Sequence, residues 1–256
     1  MITVGRCRKV LKRLLPKEKQ NDIDFLLEKS GVDIYKLFRE YNSSVVLKPV
    51  SGNSGINMYY VNDIEKLKSK AQKLLERYSN FCVSPFYNID IEYRVIILNN
   101  EILYVHKKEL PCLTGDGKST ILDLCKEHFS EYKSHRFNTM IEDITEFDKY
   151  PVSFVPEKNQ KVRPFWKHNS CKGGSIDEIT DSTIIDEVSQ LALRASKIVQ
   201  TNFASYDIAH TDDGYKIIEV NGMVSLDPFK DHLEDGENIA KSIYRKAILS
   251  KFHIEN

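Results

Sequence analysis

A mixed α+β fold is what this sequence predicts, and three features carry the prediction. Residues 203–222, FASYDIAHTDDGYKIIEVNG, read as a β-hairpin whose two runs are joined at Asp212-Asp213-Gly214. Residues 80–108 hold three further strands, with Asn99-Asn100 as a hairpin turn. Helices are read over about 64–78, 184–199 and 236–252, the second strongly amphipathic with apolar residues at helical spacing.

The 203–222 hairpin is the most informative stretch. With a three-residue loop, Thr211 pairs with Tyr215, Asp207 stands directly opposite Glu219, and Asn221 lies diagonally on the same face. Tyr206, Ile208, Ile218 and Val220 then form an apolar face. A two-residue loop shifts the register by one and separates the two acids. The first register sorts polar from apolar and is the one expected. Carboxylates so placed have Cβ atoms about 5 Å apart. Like charges that close are stable as anions only beside a cation. Two carboxylates and an amide oxygen are hard ligands of the kind Mg²⁺ takes, with phosphate oxygens completing the shell. A solvent-facing hairpin that happens to carry acids is the simpler alternative.

Composition bounds the remaining options. The 256 residues, 41% hydrophobic and 29% charged, are enough for one large or two small globular domains. Lys plus Arg number 37 and Asp plus Glu number 37, which argues against nucleic acid or an anionic membrane as a partner. No apolar run approaches the ~18 residues that span a bilayer, and Ile2–Val4 is too short for a signal peptide core. The five cysteines are scattered without a CxxC pair, so neither a disulfide framework nor a zinc site is indicated. The cytoplasm is the default expectation.

Residues 6–19 are basic around an apolar stripe at Val10, Leu11, Leu14 and Leu15, the mark of a short amphipathic helix with a solvated face. A second helical stretch runs from about Asp22 to Tyr41, broken at Gly31. Val45–Leu47 is a buried strand that delivers Lys48, and Ser51-Gly52-Asn53-Ser54-Gly55 is a small-residue loop. A strand, a lysine and inward-turning backbone amides can cradle phosphate, although many hairpins carry such loops. Thr114–Thr120, TGDGKST, resembles the end of a Walker A loop, but the first required glycine falls at Cys112. It reads instead as a tight turn before a helix with Thr120 as N-cap and Asp123 three residues on. Residues 127–160 suggest a helix and an irregular segment. Residues 161–180 combine a strand with Lys167, His168, Asn169, Lys172 and Gly173-Gly174.

Three blocks in order resemble the ATP-grasp superfamily, most closely the ATP-grasp region of cyanophycin synthetase and bifunctional glutathione synthetase. They are VVLKPVSGNSG; EYRVIILNNEILYVHKKELPCLTGDGKSTILDL; and VPEKNQKVRPFWKHNSCKGG followed by YDIAHTDDGYKIIEVNG. The resemblance implies two α+β lobes with antiparallel sheets that clamp ATP. It divides the chain into an N-terminal helical segment, 1–42, a small lobe, 43–87, and a large lobe, 88–256. It implies that Lys48 meets the phosphates and that Ser51, Gly52, Ser54 and Gly55 close over them. It implies further that Ser84, Phe86 and Tyr87 form a hinge whose backbone meets adenine, that Glu92 binds the ribose, and that Asn169 also contacts the nucleotide. By the same resemblance Arg94, Lys107, Lys108 and Lys172 would be basic residues near phosphate or substrate, and Asp207, Glu219 and Asn221 would hold two Mg²⁺ ions, for which Mn²⁺ can substitute.

The activity implied is an ATP-dependent carboxylate–amine ligase working through an acyl phosphate on a small-molecule or peptide substrate. An ATP-grasp phosphotransferase and a nucleotide-binding pseudoenzyme are the alternatives. The chain departs from the family in four places, one being that the family's earlier nucleotide-contacting lysine has no match beyond Lys9 or Lys12. About forty residues precede the Lys48 block, so the N-terminal substrate domain is expected to be missing or vestigial, with a second copy or another chain supplying that surface. Pro85 has no N–H to offer adenine. Gly222-Met223-Val224 replaces the usual continuation, which leaves the substrate open.

Overall fold

The computed structural model describes residues 2–4, 33–50, 55–89, 91–131, 134–168 and 174–252. The basic helix expected over 6–19, and most of the stretch expected over 22–41, lie outside them. The chain divides into two compact units, Met1–Tyr87 and Asn88–Asn256.

In the first unit, β1 (Ile2–Val4), β2 (Val45–Pro49), β3 (Tyr59–Val61) and β4 (Phe81–Pro85) form an antiparallel sheet in the order β1-β4-β2-β3. Among the described residues, two helices, α1 (Ile34–Glu40) and α2 (Ile64–Arg77), pack with it. Each helix begins where an aspartate can satisfy a free backbone amide: Lys36 N–H donates to Asp33 at 2.8 Å and Lys66 N–H to Asp63 at 2.7 Å. Strand alternation sends Val45 and Leu47 into a core with Ile34, Phe38, Leu67, Leu74 and Phe81. Val46 and Lys48 therefore take the other face, shared with their cross-strand partners Tyr60, Ser84 and Cys82.

The second unit is built on a five-stranded antiparallel sheet, β11-β10-β5-β6-β9. Its strands are β5 (Ile91–Leu98), β6 (Glu101–Glu109), β9 (Ser175–Asp177), β10 (Phe203–Thr211) and β11 (Gly214–Asn221). One face packs on α5 (Ser182–Val199) through Tyr93, Val95, Ile97, Val188, Ala192, Ala204, Tyr206 and Ile208. Part of the other face is covered by α6 (Phe229–His232) and α7 (Gly236–Phe252) through Ile96, Ile176, Leu226, Phe229, Leu233 and Ile243.

A ribbon of β7 (Leu113–Thr114) and β8 (Lys161–Val162), with α3 (Ile121–His128) and α4 (Ser134–Phe147), has its own core around Ile121, Phe129, Met140 and Phe165. The TGDGKST segment belongs to this ribbon and is no phosphate cradle. Asp116 accepts the amides of Lys118 and Ser119 at 2.8 and 2.7 Å, so those donors are consumed. A Cβ at Gly115 would lie 2.2 Å from the Glu157 carbonyl oxygen, which excludes any other residue there. The capping reading of Thr120 holds: Asp123 N–H donates to its Oγ1 at 3.2 Å.

Candidate functional site

The polar face of the large sheet is set by the registers of two hairpins. In β5–β6 the turn is Asn99-Asn100, with φ of 49° and 65°, and Leu98 faces Glu101. A bulge follows: Ile97 faces Ile102, but Ile96 faces Tyr104, and Leu103 is the extra residue. Arg94 consequently faces His106 and Glu92 faces Lys108.

In β10–β11, Thr211 faces Gly214, so the loop has two residues where three were expected. Gly214 takes φ of 92°, a conformation that suits glycine. Ile208 then faces Ile217, a bulge leaves Ile218 unpaired, and Asp207 faces Glu219. The acids face each other as expected, but the bulge achieves it, not the loop. Ile217 replaces Ile218 in the apolar face, beside Tyr215 and Val220.

Because β10 also pairs with β5, with Asp207 facing Arg94, the side chains of four strands meet. Arg94 donates from Nε to Asp207 Oδ1 at 2.6 Å and from Nη2 to Oδ2 at 2.7 Å, a two-pronged charge-assisted contact. Lys108 Nζ lies 3.4 Å from Asp207 Oδ2 and also pairs with Glu92. Asn221 Nδ2 reaches Asp207 Oδ2 at 3.4 Å. Asp207 is 3% exposed. Burial alone would raise its pKa, but the Lys108 and Arg94 charges outweigh it and hold the carboxyl well below its usual range. Glu219 is exposed and makes no salt bridge among the described residues.

His106 is buried next to Arg94, edge-on to the Phe229 ring at 5.0 Å between centroids. Burial, reinforced by the Arg94 charge, pushes its pKa down to about 3, so it is a neutral imidazole. Its Nδ1 and the Ser205 Oγ are buried without a hydrogen-bond partner among the described residues.

The other expected site residues fall as follows. Lys107 does not join the cluster: it stands on the opposite face of β6, facing Tyr93, with Glu109 2.5 Å from its Nζ. Lys108, expected near phosphate alongside it, does join the cluster, because the Leu103 bulge shifts the strand by one. Glu92, expected to be open to a ribose, is buried with its carboxylate engaged by Lys108. In the first unit, Ser84 lies in β4 facing Val46, and Phe86 donates its N–H to the Ser44 carbonyl at 3.0 Å, so that amide is not free for adenine. Tyr87 is the last residue of that unit. Gly55 has φ of 65°. Ser51, Gly52, Ser54, Asn169 and Lys172 lie outside the described residues.

His106 and Ser205 were missed. The signal available for them was period-two alternation: His106 shares its parity with Lys108, and Ser205 with Asp207.

Among the described residues no three His, Cys, Asp or Glu side chains gather as a metal site. The donor set that does form fits one hard divalent cation: a carboxylate on each of two paired strands, with an amide two residues beyond. Its deeper member, Asp207, is already engaged by cations of the protein. No helix among the described residues is long and apolar enough to cross a membrane.

Residues 160–247 match the model of the RimK-like ATP-grasp domain, a stretch that contains the whole β10–β11 hairpin. The glutathione biosynthesis bifunctional protein GshAB of Desulfotalea psychrophila is 24% identical over 197 residues, covering 70% of this chain and 25% of that protein. A cyanophycin synthetase of Synechocystis sp. is 24% identical over 223 residues, covering 78% of this chain and 24% of that protein. The chain thus spans about a quarter of the length of these curated relatives. Among solved structures, the D-alanine–D-alanine ligase of Bacillus anthracis aligns at a TM-score of 0.48 and 15% identity, covering 86% of this chain and 60% of that one.

Proposed function

From a chain that carries a RimK-like ATP-grasp domain over residues 160–247, we propose an ATP- and Mg²⁺-dependent ligase that joins a carboxylate to an amine through an acyl phosphate. The observation that carries this reading is the Asp207–Glu219 pair on β10–β11, inside the matched domain and flanked by Arg94 and Lys108. The named activities of the relatives are compatible with it: cyanophycin synthetase and glutathione biosynthesis.

The chemistry explains why such residues are needed. A carboxylate is a poor electrophile, and transfer of the γ-phosphoryl group makes it one that an amine can attack. The transfer asks the protein for charge neutralisation and in-line placement. Asp207, Glu219 and Asn221 would hold magnesium, which neutralises charge on the phosphates when bound. Arg94 is a planar fork suited to phosphate oxygens. Lys48, on the face of its sheet away from the helices, is the proposed phosphate contact of the first unit. The substrate is a small molecule or peptide.

Hydroxylamine trapping tests the reaction class. Incubation with ATP, Mg²⁺, hydroxylamine and a panel of carboxylic acids is expected to yield ADP and a hydroxamate in equal amounts. ADP with a stable phosphorylated product would make the protein a phosphotransferase. Nucleotide binding without ADP from any acid would contradict the ligase reading.

A further inference from the structure

We propose that Arg94 guards the Asp207 carboxylate, holding both its oxygens until a polyphosphate draws the guanidinium away, so that divalent cation and nucleotide load cooperatively. The inference rests on the function proposed above and adds a rule for how its site fills.

Four observations carry it. Both Asp207 oxygens are taken by the Arg94 fork at 2.6 and 2.7 Å, and Lys108 approaches from the side at 3.4 Å. Glu92, Asp207 and Glu219 against Arg94 and Lys108 leave one net negative charge, and two protein cations close to any ion that enters while Arg94 is in place. A lone divalent cation therefore gains little and is repelled at short range. The Arg94 side chain is 24% exposed while that of Asp207 is 4% exposed, so the arginine has a way out and the carboxylate does not. Lys108, at 7%, is fixed between Glu92 and Asp207.

The swap conserves charge pairing. Arg94 leaves Asp207 only when phosphate oxygens offer it equivalent acceptors, and Asp207 is then open to the cation. Because β5 is hydrogen-bonded to β6 and β10 on its two sides, the motion is confined to the side chain. Linkage makes the coupling reciprocal: nucleotide tightens the metal by the factor that metal tightens nucleotide.

The test is Mn²⁺ binding by the full chain, read from the free-ion EPR signal with and without a non-hydrolysable ATP analogue, after subtraction of the Mn²⁺ that the analogue alone takes up in a protein-free control. The wild type is expected to bind Mn²⁺ at least about tenfold tighter with the analogue. Arg94→Met is expected to bind Mn²⁺ about tenfold tighter than wild type without the analogue, and to lose most of the enhancement. Circular dichroism confirms the fold; if Arg94→Met does not fold, Arg94→Lys, a single-point contact, should show an intermediate gain. Unchanged or weaker nucleotide-free Mn²⁺ binding in a folded variant overturns the guard, as does equal wild-type affinity in both conditions. Wild-type protein that binds neither Mn²⁺ nor the analogue overturns the proposed function as well.

Discussion

The β5–β6 hairpin turns through two left-handed asparagines, and the β10–β11 hairpin through Asp212-Asp213 into a left-handed glycine. Each turn alone would pair the strands one residue out of step with the site. Each hairpin corrects this with one extra residue, Leu103 in the first and Ile218 in the second. The outcomes differ with place in the sheet. The first hairpin lies in the interior, and the charges it contributes nearest the site, Glu92, Arg94 and Lys108, are bound to one another or to Asp207. In the second, β11 is the edge strand, and Glu219 is exposed without a salt bridge among the described residues. The interior hairpin supplies a charge-balanced wall, and the edge strand supplies the open ligand.

That contrast can be broken at its open side first. Glu219→Gln is expected to lower Mg²⁺-dependent turnover by at least about a hundredfold. Its urea unfolding should stay within about 0.5 kcal/mol of wild type, since the side chain is exposed. On the closed side the balance reverses. Lys108→Met leaves Glu92 buried without its partner and should cost about 3 kcal/mol of stability by urea unfolding. Lys107→Met, one residue away on the other face, should cost less than about 1 kcal/mol.

A pH series sharpens the same contrast. His106 has its pKa depressed from 6.5 to about 3, so between those values the unfolded chain binds a proton that the folded one refuses. Stability from this group is therefore complete above pH 6.5 and falls as pH drops, by about 1.4 kcal/mol per pH unit. His106→Leu should remove that slope between pH 6.5 and about 4.5, above the range in which ordinary carboxylates titrate. The smallest effect concerns the bulge. Deleting Ile218 leaves Asp207 facing Glu219 in an uninterrupted ladder, so Mn²⁺–nucleotide affinity should stay within about threefold of wild type by titration.

Much of this was legible in the sequence. The helical readings gave α2, α5 and α7 nearly to their ends, and the Thr120 cap gave the start of α3, because those signals are local. Asn99-Asn100 gave its turn for the same reason. The bulges were not legible: Leu103 and Ile218 are apolar like their neighbours, and only packing on both sheet faces decides which residue is left over. Lys107 and Lys108 were therefore both expected near phosphate, whereas only Lys108 lies on the face of the cluster. Asp207 and Glu219 were matched correctly because polar and apolar residues had to sort onto two faces, although the loop length invoked for it was wrong. Nothing in the sequence announced that Arg94 would occupy Asp207, since that contact joins strands more than a hundred residues apart.

Anomalous scattering from crystals grown with Mn²⁺ and a non-hydrolysable ATP analogue tests the central claim most directly. The account predicts a peak bound by Asp207 and Glu219, with the Arg94 guanidinium moved onto phosphate. A peak elsewhere, or a bound nucleotide with Arg94 still paired to Asp207 and no ion between the two acids, would contradict it.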